Sequence, residues 1–386
     1  MRLASAALLT ACMAACAPSS TASPSPSPPP APASVQQLTP YYGSYRDASG
    51  DLVVIARLGW FFDMKTAAYR TIYASSNSAH FTIGPRFLEP SPTFAGLTFT
   101  GQTLTISEGG QVTKWKRVPY PEASVTIPAG GATLAGALTM PLGAGPHPGI
   151  VIVHGAERGE RHFYDVWVGI YASLGFAVLT YDKRGVGESS GTYPGESLTP
   201  GAIDVYAADA AAARDFLARQ PGIDPARVGF HGGSQGGWTV PLAITRHGGG
   251  AFAVLVSAPT TTVDQTDLWA GFTSGGTTAP SESSEQMQTA VRSASGGYDP
   301  AAALHAMTAP ALWVLGTNDR TVPTTICVEI LTALHKSNFT VHLVPTGHAL
   351  LVNATGMVAD DAQSPGLPPD LVPTLRQWLA AEGEAA

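Results

Sequence analysis

From residue 119 onward, nearly continuous apolar runs alternate with longer mixed segments. Residues 149–153, 176–180, 251–256 and 311–315 are apolar at almost every position. A strand solvated on one face alternates apolar and polar, whereas a parallel strand covered on both faces runs apolar throughout. Between these runs, residues 203–219 are alanine-rich and stop at Gln220-Pro221-Gly222, which predicts a helix and its end. The repetition predicts an α/β domain over 119–386 with a mainly parallel sheet. Residues 260–305 interrupt it. They are rich in Thr, Ser, Gly and Glu, with a helix predicted near 284–292, and read as a small cap inserted before the run at 311–315.

Residues 38–118 have a different texture. Short β-rich runs at 41–45, 52–58, 70–73, 97–100 and 104–106 are separated by Gly, Asn, Ser and Pro. This predicts a small antiparallel sheet or open barrel ahead of the α/β domain. Trp60, Phe61 and Phe62 fit either a ligand surface or a core packed against the second domain.

The first residues are a targeting segment. Arg2 is followed by an apolar stretch over 3–15 that is too short to span a bilayer. Leu9-Thr10-Ala11-Cys12 and Met13-Ala14-Ala15-Cys16 both resemble bacterial lipoboxes. The second leaves the more usual signal length, so residues 1–16 are expected to be a signal and Cys16 the lipidated residue. Residues 17–37, dominated by Pro, Ser and Ala, cannot bury a core and predict a disordered tether. Membrane association is expected only through that lipid anchor, in the bacterial cell envelope. Cys327 alone remains beyond the signal, so no internal disulfide is expected. With 21 Lys and Arg against 28 Asp and Glu, a net charge of −7 and no basic cluster, composition argues against nucleic acid as a partner.

The candidate chemistry starts at Gly232-Gly233-Ser234-Gln235-Gly236. A strand-like stretch precedes it and a helix start follows, the setting of a G-x-S-x-G nucleophile elbow. Gly232, Gly233, Gly236 and Gly237 suit a turn where strand and helix backbones approach closely. Asp319 follows the apolar run at 311–315 across a Gly, and His348 follows a short run at 341–344 across a Gly-containing turn. A serine hydroxyl is a poor nucleophile until an imidazole takes its proton, and the imidazole needs a carboxylate to fix its tautomer. Ser234, His348 and Asp319 supply these groups. An acyl-transfer site also needs N–H donors for the developing oxyanion. Gln235, after the nucleophile, and Ala156, after the run at 149–153, are the expected donors, with Glu157 as the fallback. His154 is expected to shape that loop.

These residues resemble the α/β-hydrolase superfamily, and more narrowly bacterial esterases, thioesterases and S9- or S33-type peptidases. The resemblance covers roughly residue 121 to the end. Asp182-Lys183-Arg184-Gly185-Val186-Gly187-Glu188-Ser189 is similar to the superfamily's D-x-R-G-x-G-x-S loop. One departure is Ala156-Glu157, where many relatives carry Ser-Gly. The resemblance implies a serine hydrolase acting on a small acyl substrate without metal or organic cofactor, with ester cleavage ahead of peptide or thioester cleavage. Trp269 and Phe272, in the cap, are the expected acyl-pocket contacts, and Glu157 is expected to border the substrate.

Overall fold

The computed structural model describes residues 30–75, 78–195, 198–280 and 282–384. Cys12, Cys16 and the rest of the expected targeting segment, with the expected tether up to residue 29, lie outside the described residues. The tether expected to reach residue 37 ends sooner. The Ala74 N–H donates to the Ala31 carbonyl at 2.9 Å, and the Ala33 N–H to the Ile72 carbonyl at 2.8 Å. Ser34 caps the short helix Val35–Leu38 in a box with Gln37. Ala33 and Leu38 enter the neighbouring core, and their burial overrides the Pro/Ser-rich composition.

Eight strands then form a closed barrel: β1 (Gly43–Arg46), β2 (Leu52–Ile55), β3 (Trp60–Asp63), β4 (Tyr69–Ala74), β5 (His80–Ile83), β6 (Ala95–Thr100), β7 (Thr103–Glu108) and β8 (Gln111–Arg117). Every neighbour is antiparallel, and β1 meets β8 at Tyr45↔Arg117 and Arg46↔Lys116. The barrel is therefore closed rather than open, which leaves no unpaired sheet edge. Its interior holds Tyr45, Val53, Ile55, Phe61, Phe81, Leu97, Phe99 and Leu104.

The apolar run in β2 has a specific cause. Val53 and Ile55 point into the barrel, while Val54 and Ala56 join a cluster with Val166 and Ile170 of the helix Asp165–Ser173. Phe61 and Phe62 divide in the same way. Two faces of one strand thus serve two cores. The approach is close: a Cβ on Gly169 would sit 2.6 Å from Val54 Cγ2.

The second sheet contains β9 (Glu122–Ala129), β10 (Ala132–Thr139), β11 (His147–Val153), β12 (Ala177–Tyr181), β13 (Ile223–Gly233), β14 (Ala253–Val256), β15 (Ala311–Gly316) and β16 (Phe339–Val344). Their spatial order is β16-β15-β14-β13-β11-β12-β10-β9. The β9–β10–β12 pairings are antiparallel, and those from β12 through β11 to β16 are parallel. Side chains alternate between two layers. Val151 and Val153 pack with the helices Pro200–Ala218, Gly236–Arg246 and Thr324–Ala333, whereas Ile150 and Ile152 pack with Asp165–Ser173 and Leu371–Ala381. Cys327 lies buried in the first layer.

Barrel and sheet are also joined by charge. The buried Arg57, just beyond β2, places its guanidinium 3.0 Å from Asp165 and 2.5 Å from Glu122, and the Arg57 N–H donates to Asp165 at 2.9 Å. The guanidinium stacks 3.5 Å over the Tyr42 ring. Removing one member of a buried ion group leaves its partners uncompensated, which typically costs ~3–5 kcal/mol. Arg57→Met is expected to lower unfolding stability by about 3 kcal/mol. Urea denaturation followed by circular dichroism measures it, and a change within error of zero contradicts the account.

Candidate active site

Ser234 sits between the end of β13 and the helix Gly236–Arg246. Its φ is +48°, in the left-handed region that a non-glycine residue enters only under local constraint. The constraint is visible on both sides. The Ser234 N–H donates to the Val256 carbonyl at 3.1 Å, and the Gly237 N–H donates to the Ser234 carbonyl at 2.9 Å. Two of the four flanking glycines are sterically required. A Cβ on Gly232 would lie 2.8 Å from Val240 Cγ2, and one on Gly237 2.3 Å from the Pro259 carbonyl oxygen. Gly236 has open space at that point, and Gly233 meets nothing closer than 3.8 Å, so the expected crowding does not apply to them.

His348 and Asp319 converge on this serine. His348 Nε2 lies 3.1 Å from Ser234 Oγ, and Nδ1 lies 2.9 Å from Asp319 Oδ2. The other Asp319 oxygen accepts from the N–H groups of Thr321 and Val322 at 2.7 and 2.8 Å. Three contacts therefore fix the carboxylate of this buried residue at the C-terminal end of β15. Burial pulls the His348 imidazole down, but Asp319 more than offsets this by charge and hydrogen bond, helped by Glu157 and Asp361. The imidazole pKa ends above its ordinary 6.5.

The loop after β11 lies against the serine: a Cβ on Gly155 would be 3.3 Å from Ser234 Cβ. His154 shapes this loop, with Nε2 2.5 Å from the Tyr181 carbonyl and Nδ1 3.2 Å from Glu157 Oε1. Tyr164 completes it by donating to Glu157 Oε1 at 2.9 Å and accepting from the Gly155 N–H at 3.2 Å. Burial would raise the Glu157 carboxyl, but the His154 hydrogen bond and charge and the Lys183 charge outweigh it and hold it at about 2.

Lys183 was not singled out as a functional residue from sequence. Its Nζ donates to the Gly155 carbonyl at 2.6 Å, the Glu157 carbonyl at 3.0 Å and the Gln235 side-chain oxygen at 3.3 Å. It therefore grips the loop on both sides of Ala156 and also the residue after Ser234. Burial lowers its pKa to about 8, against the raising effect of Glu157. Its place inside the D-x-R-G-x-G-x-S stretch was the available signal.

Beside Ser234 and His348 lies a cavity of about 400 Å³. Glu157 lines it, as expected. Trp269 and Phe272 do not. Both belong to a separate apolar cluster with Met287, Val291 and Ile326, and the Trp269 indole N–H donates to the Asp319 carbonyl at 3.1 Å. The cap buries its own aromatic residues and braces the acid loop. Among the described residues, none from 260–305 lines the cavity. Trp60, Tyr69 and Phe87 of the barrel side do, opposite the role expected for the cap. No group of His, Cys, Asp or Glu among the described residues is arranged to hold a metal ion.

Strand order, elbow and the Ser-His-Asp arrangement together define an α/β-hydrolase fold, preceded here by a β-barrel. A sequence model of the prolyl oligopeptidase family, Peptidase_S9, matches residues 162–349. An uncharacterized protein of Mycobacterium tuberculosis is 32% identical over 138 residues, which is 33% of this chain and 46% of that protein. The chain thus spans less than half the length of this relative. Esterase FrsA of Klebsiella pneumoniae is 36% identical over 69 residues, covering 18% of this chain and 16% of that one. Among solved structures, the Pyrococcus furiosus esterase Pf2001 matches 69% of this chain and 92% of its own with a TM-score of 0.50 and 16% identity, a likeness of fold.

The His348 environment sets a sign. Asp319 stabilises the imidazolium, so Asp319→Asn removes the largest raising influence and leaves burial, which lowers the pKa, opposed only by Glu157 and Asp361. The His348 midpoint, followed by NMR of the ring protons against pH, is expected to move down in that variant. An unchanged or higher midpoint contradicts the assignment of Asp319 as its partner.

Proposed function

We propose that this protein is a serine hydrolase that cleaves carboxylic esters through an acyl-enzyme on Ser234. The observation that carries the reading is the continuous chain from Ser234 Oγ through His348 to Asp319, at 3.1 and 2.9 Å, on a backbone held at positive φ. In the first step His348 Nε2 takes the Ser234 hydroxyl proton as Oγ bonds to the substrate carbonyl carbon. The carbonyl π electrons move to oxygen, and the Gln235 and Ala156 N–H groups receive that charge. When the tetrahedral adduct collapses, the C–O bond to the alcohol breaks and His348 returns the proton to the leaving oxygen. Water, deprotonated by the same imidazole, then releases the acid and restores Ser234.

Lys183 supports this mechanism as a positioning residue. By holding the carbonyls on either side of Ala156, it fixes where the Ala156 N–H points, and it ties the same loop to Gln235. Both donor-bearing segments depend on one ammonium. A displacement of about 1 Å in such a group costs on the order of a hundredfold in rate.

The match to the prolyl oligopeptidase family favours a second reading, cleavage of a peptide or aminoacyl bond by the same serine. Parallel panels of p-nitrophenyl esters and aminoacyl anilides separate the two, and dominant anilide turnover moves the protein to the peptidases. Ser234→Ala is expected to abolish both fluorophosphonate labelling and turnover, with a loss of at least ~10⁴-fold in kcat. Equal labelling of the variant sinks the assignment.

Lys183→Met is expected to lower kcat by roughly tenfold to a hundredfold with little change in KM. The ammonium is charged below its pKa, so kcat should fall as pH rises through about 8. That descending limb should be missing from the variant's pH profile. A variant that retains both the rate and the limb excludes this role.

A further inference from the structure

The barrel builds one wall of the cavity beside Ser234. Trp60 opens β3, Tyr69 opens β4, and Phe87 follows β5. Tyr69 stacks on Phe87 with ring centres 5.2 Å apart and planes 10° from parallel. Trp60 meets Tyr69 at 5.8 Å and reaches across to Phe163 of the hydrolase side, also at 5.8 Å. Tyr164 and Trp167 complete an aromatic lining that opens onto Ser234 and His348.

This wall is anchored to the loop that carries the base. The Phe87 N–H donates to the Ser364 carbonyl at 3.1 Å, and the Leu367 N–H to the Ala67 carbonyl at 3.0 Å. Ala68 forms an antiparallel bridge with Gly366. The approach needs glycine there: φ at Gly366 is +144°, and a Cβ would lie 2.1 Å from the Ala67 carbonyl oxygen. The Gly366 carbonyl in turn accepts from the Val352 N–H at 2.9 Å, four residues beyond His348. The barrel rings are thus held at a fixed position relative to the imidazole.

The cavity's fixed charge beside His348 is acidic. Glu157 and Asp361 line the cavity, and no Lys or Arg is found among its described lining residues. Asp361 accepts from the Asn353 side-chain amide at 2.8 Å. An apolar pocket with a few polar groups is the usual form of a small-molecule site, and about 400 Å³ accommodates a phenyl or medium-length alkyl group. A carboxylate entering here meets two acidic groups and no Lys or Arg, whereas aromatic faces tolerate a neutral or cationic group.

We propose that the β-barrel is the substrate-specificity element of this hydrolase: Trp60, Tyr69 and Phe87 receive a bulky apolar group of the substrate, and Glu157 with Asp361 excludes an anionic one. The proposal rests on the ester-hydrolase reading for its substrate bond and on the cavity for its selectivity.

The test compares kcat/KM for p-nitrophenyl acetate and p-nitrophenyl 3-phenylpropanoate in the full chain and in Trp60→Ala, Trp60→Leu and Phe87→Ala. Circular dichroism confirms that each variant is folded. The expected result is a preference for the phenylpropanoyl ester that falls by about tenfold in the variants, since losing part of a hydrophobic pocket changes discrimination by that order. Equal losses on both esters, or an unaltered preference, overturn the proposal. Mono-p-nitrophenyl adipate against p-nitrophenyl hexanoate tests the charge. Rejection of the adipate ester that eases in Asp361→Asn is expected, and equal turnover of the two by the parent protein overturns the exclusion of anions. A parallel arm measures binding of methyl 3-phenylpropanoate to Ser234→Ala by calorimetry, with and without Trp60→Leu. If the parent protein hydrolyses no ester, the catalytic reading fails. Weaker binding with Trp60→Leu still supports the wall, and binding indifferent to it does not.

Discussion

The turn at Ser234 constrains most of what surrounds it. A non-glycine residue in the left-handed region is disfavoured by roughly 1–2 kcal/mol, so the surroundings must hold it there. They do so by placing β13 in the middle of a parallel sheet, where the serine N–H reaches the Val256 carbonyl of β14. The helix that follows needs backbone contact at Gly237 and packing room at Gly232. The reward is geometric. The hydroxyl projects from a rigid corner at the C-terminal edge of the sheet, where β15 and the loop after β16 deliver Asp319 and His348. A softer turn would leave the distances between these groups to side-chain rotamers.

A second constraint is the buried ammonium of Lys183. Taking a charge out of water is costly unless hydrogen bonds and opposite charge replace the lost solvation. Here two carbonyls, one amide oxygen and the nearby Glu157 do so, and the Tyr206 ring lies 4.5 Å from Nζ. The lowered pKa of Lys183 records that compensation is incomplete. Ala156-Glu157, the departure from the more usual small residues, therefore belongs to one arrangement: the Glu157 carboxylate faces His154 and Tyr164, while its backbone carbonyl is held by Lys183.

What the sequence made legible was local. Ser234 sits in a G-x-S-x-G stretch, and Asp319 and His348 each follow a strand-like run across a glycine, which makes the three candidates. Continuous apolar runs also announced the parallel strands, because burial on both faces leaves no polar positions. Barrel closure was not legible, since pairing of β1 with β8 depends on residues more than sixty positions apart. Trp269 and Phe272 do not line the cavity, because the helices around them form their own apolar cluster with Met287 and Ile326. Trp60 was ambiguous for a physical reason. Successive residues of β3 face the cavity, the barrel interior and the interface, and composition cannot distinguish three apolar surroundings. Lys183 is hard to read from sequence because two of its three hydrogen-bond partners are backbone carbonyls, which leave no mark there.

Besides the apolar interface of Val54, Ala56 and Phe62 with the helix Asp165–Ser173, polar contacts tie the barrel to the second domain on two sides. Arg57 locks β2 to Asp165 and Glu122 at one side, and the Ala68–Gly366 bridge joins β4 to the loop beyond His348 at the other. Single attachment would permit rocking about a hinge, and a wall that rocks cannot discriminate between acyl groups differing by a few carbons. With both in place, Trp60, Tyr69 and Phe87 line the same cavity as the His348 imidazole.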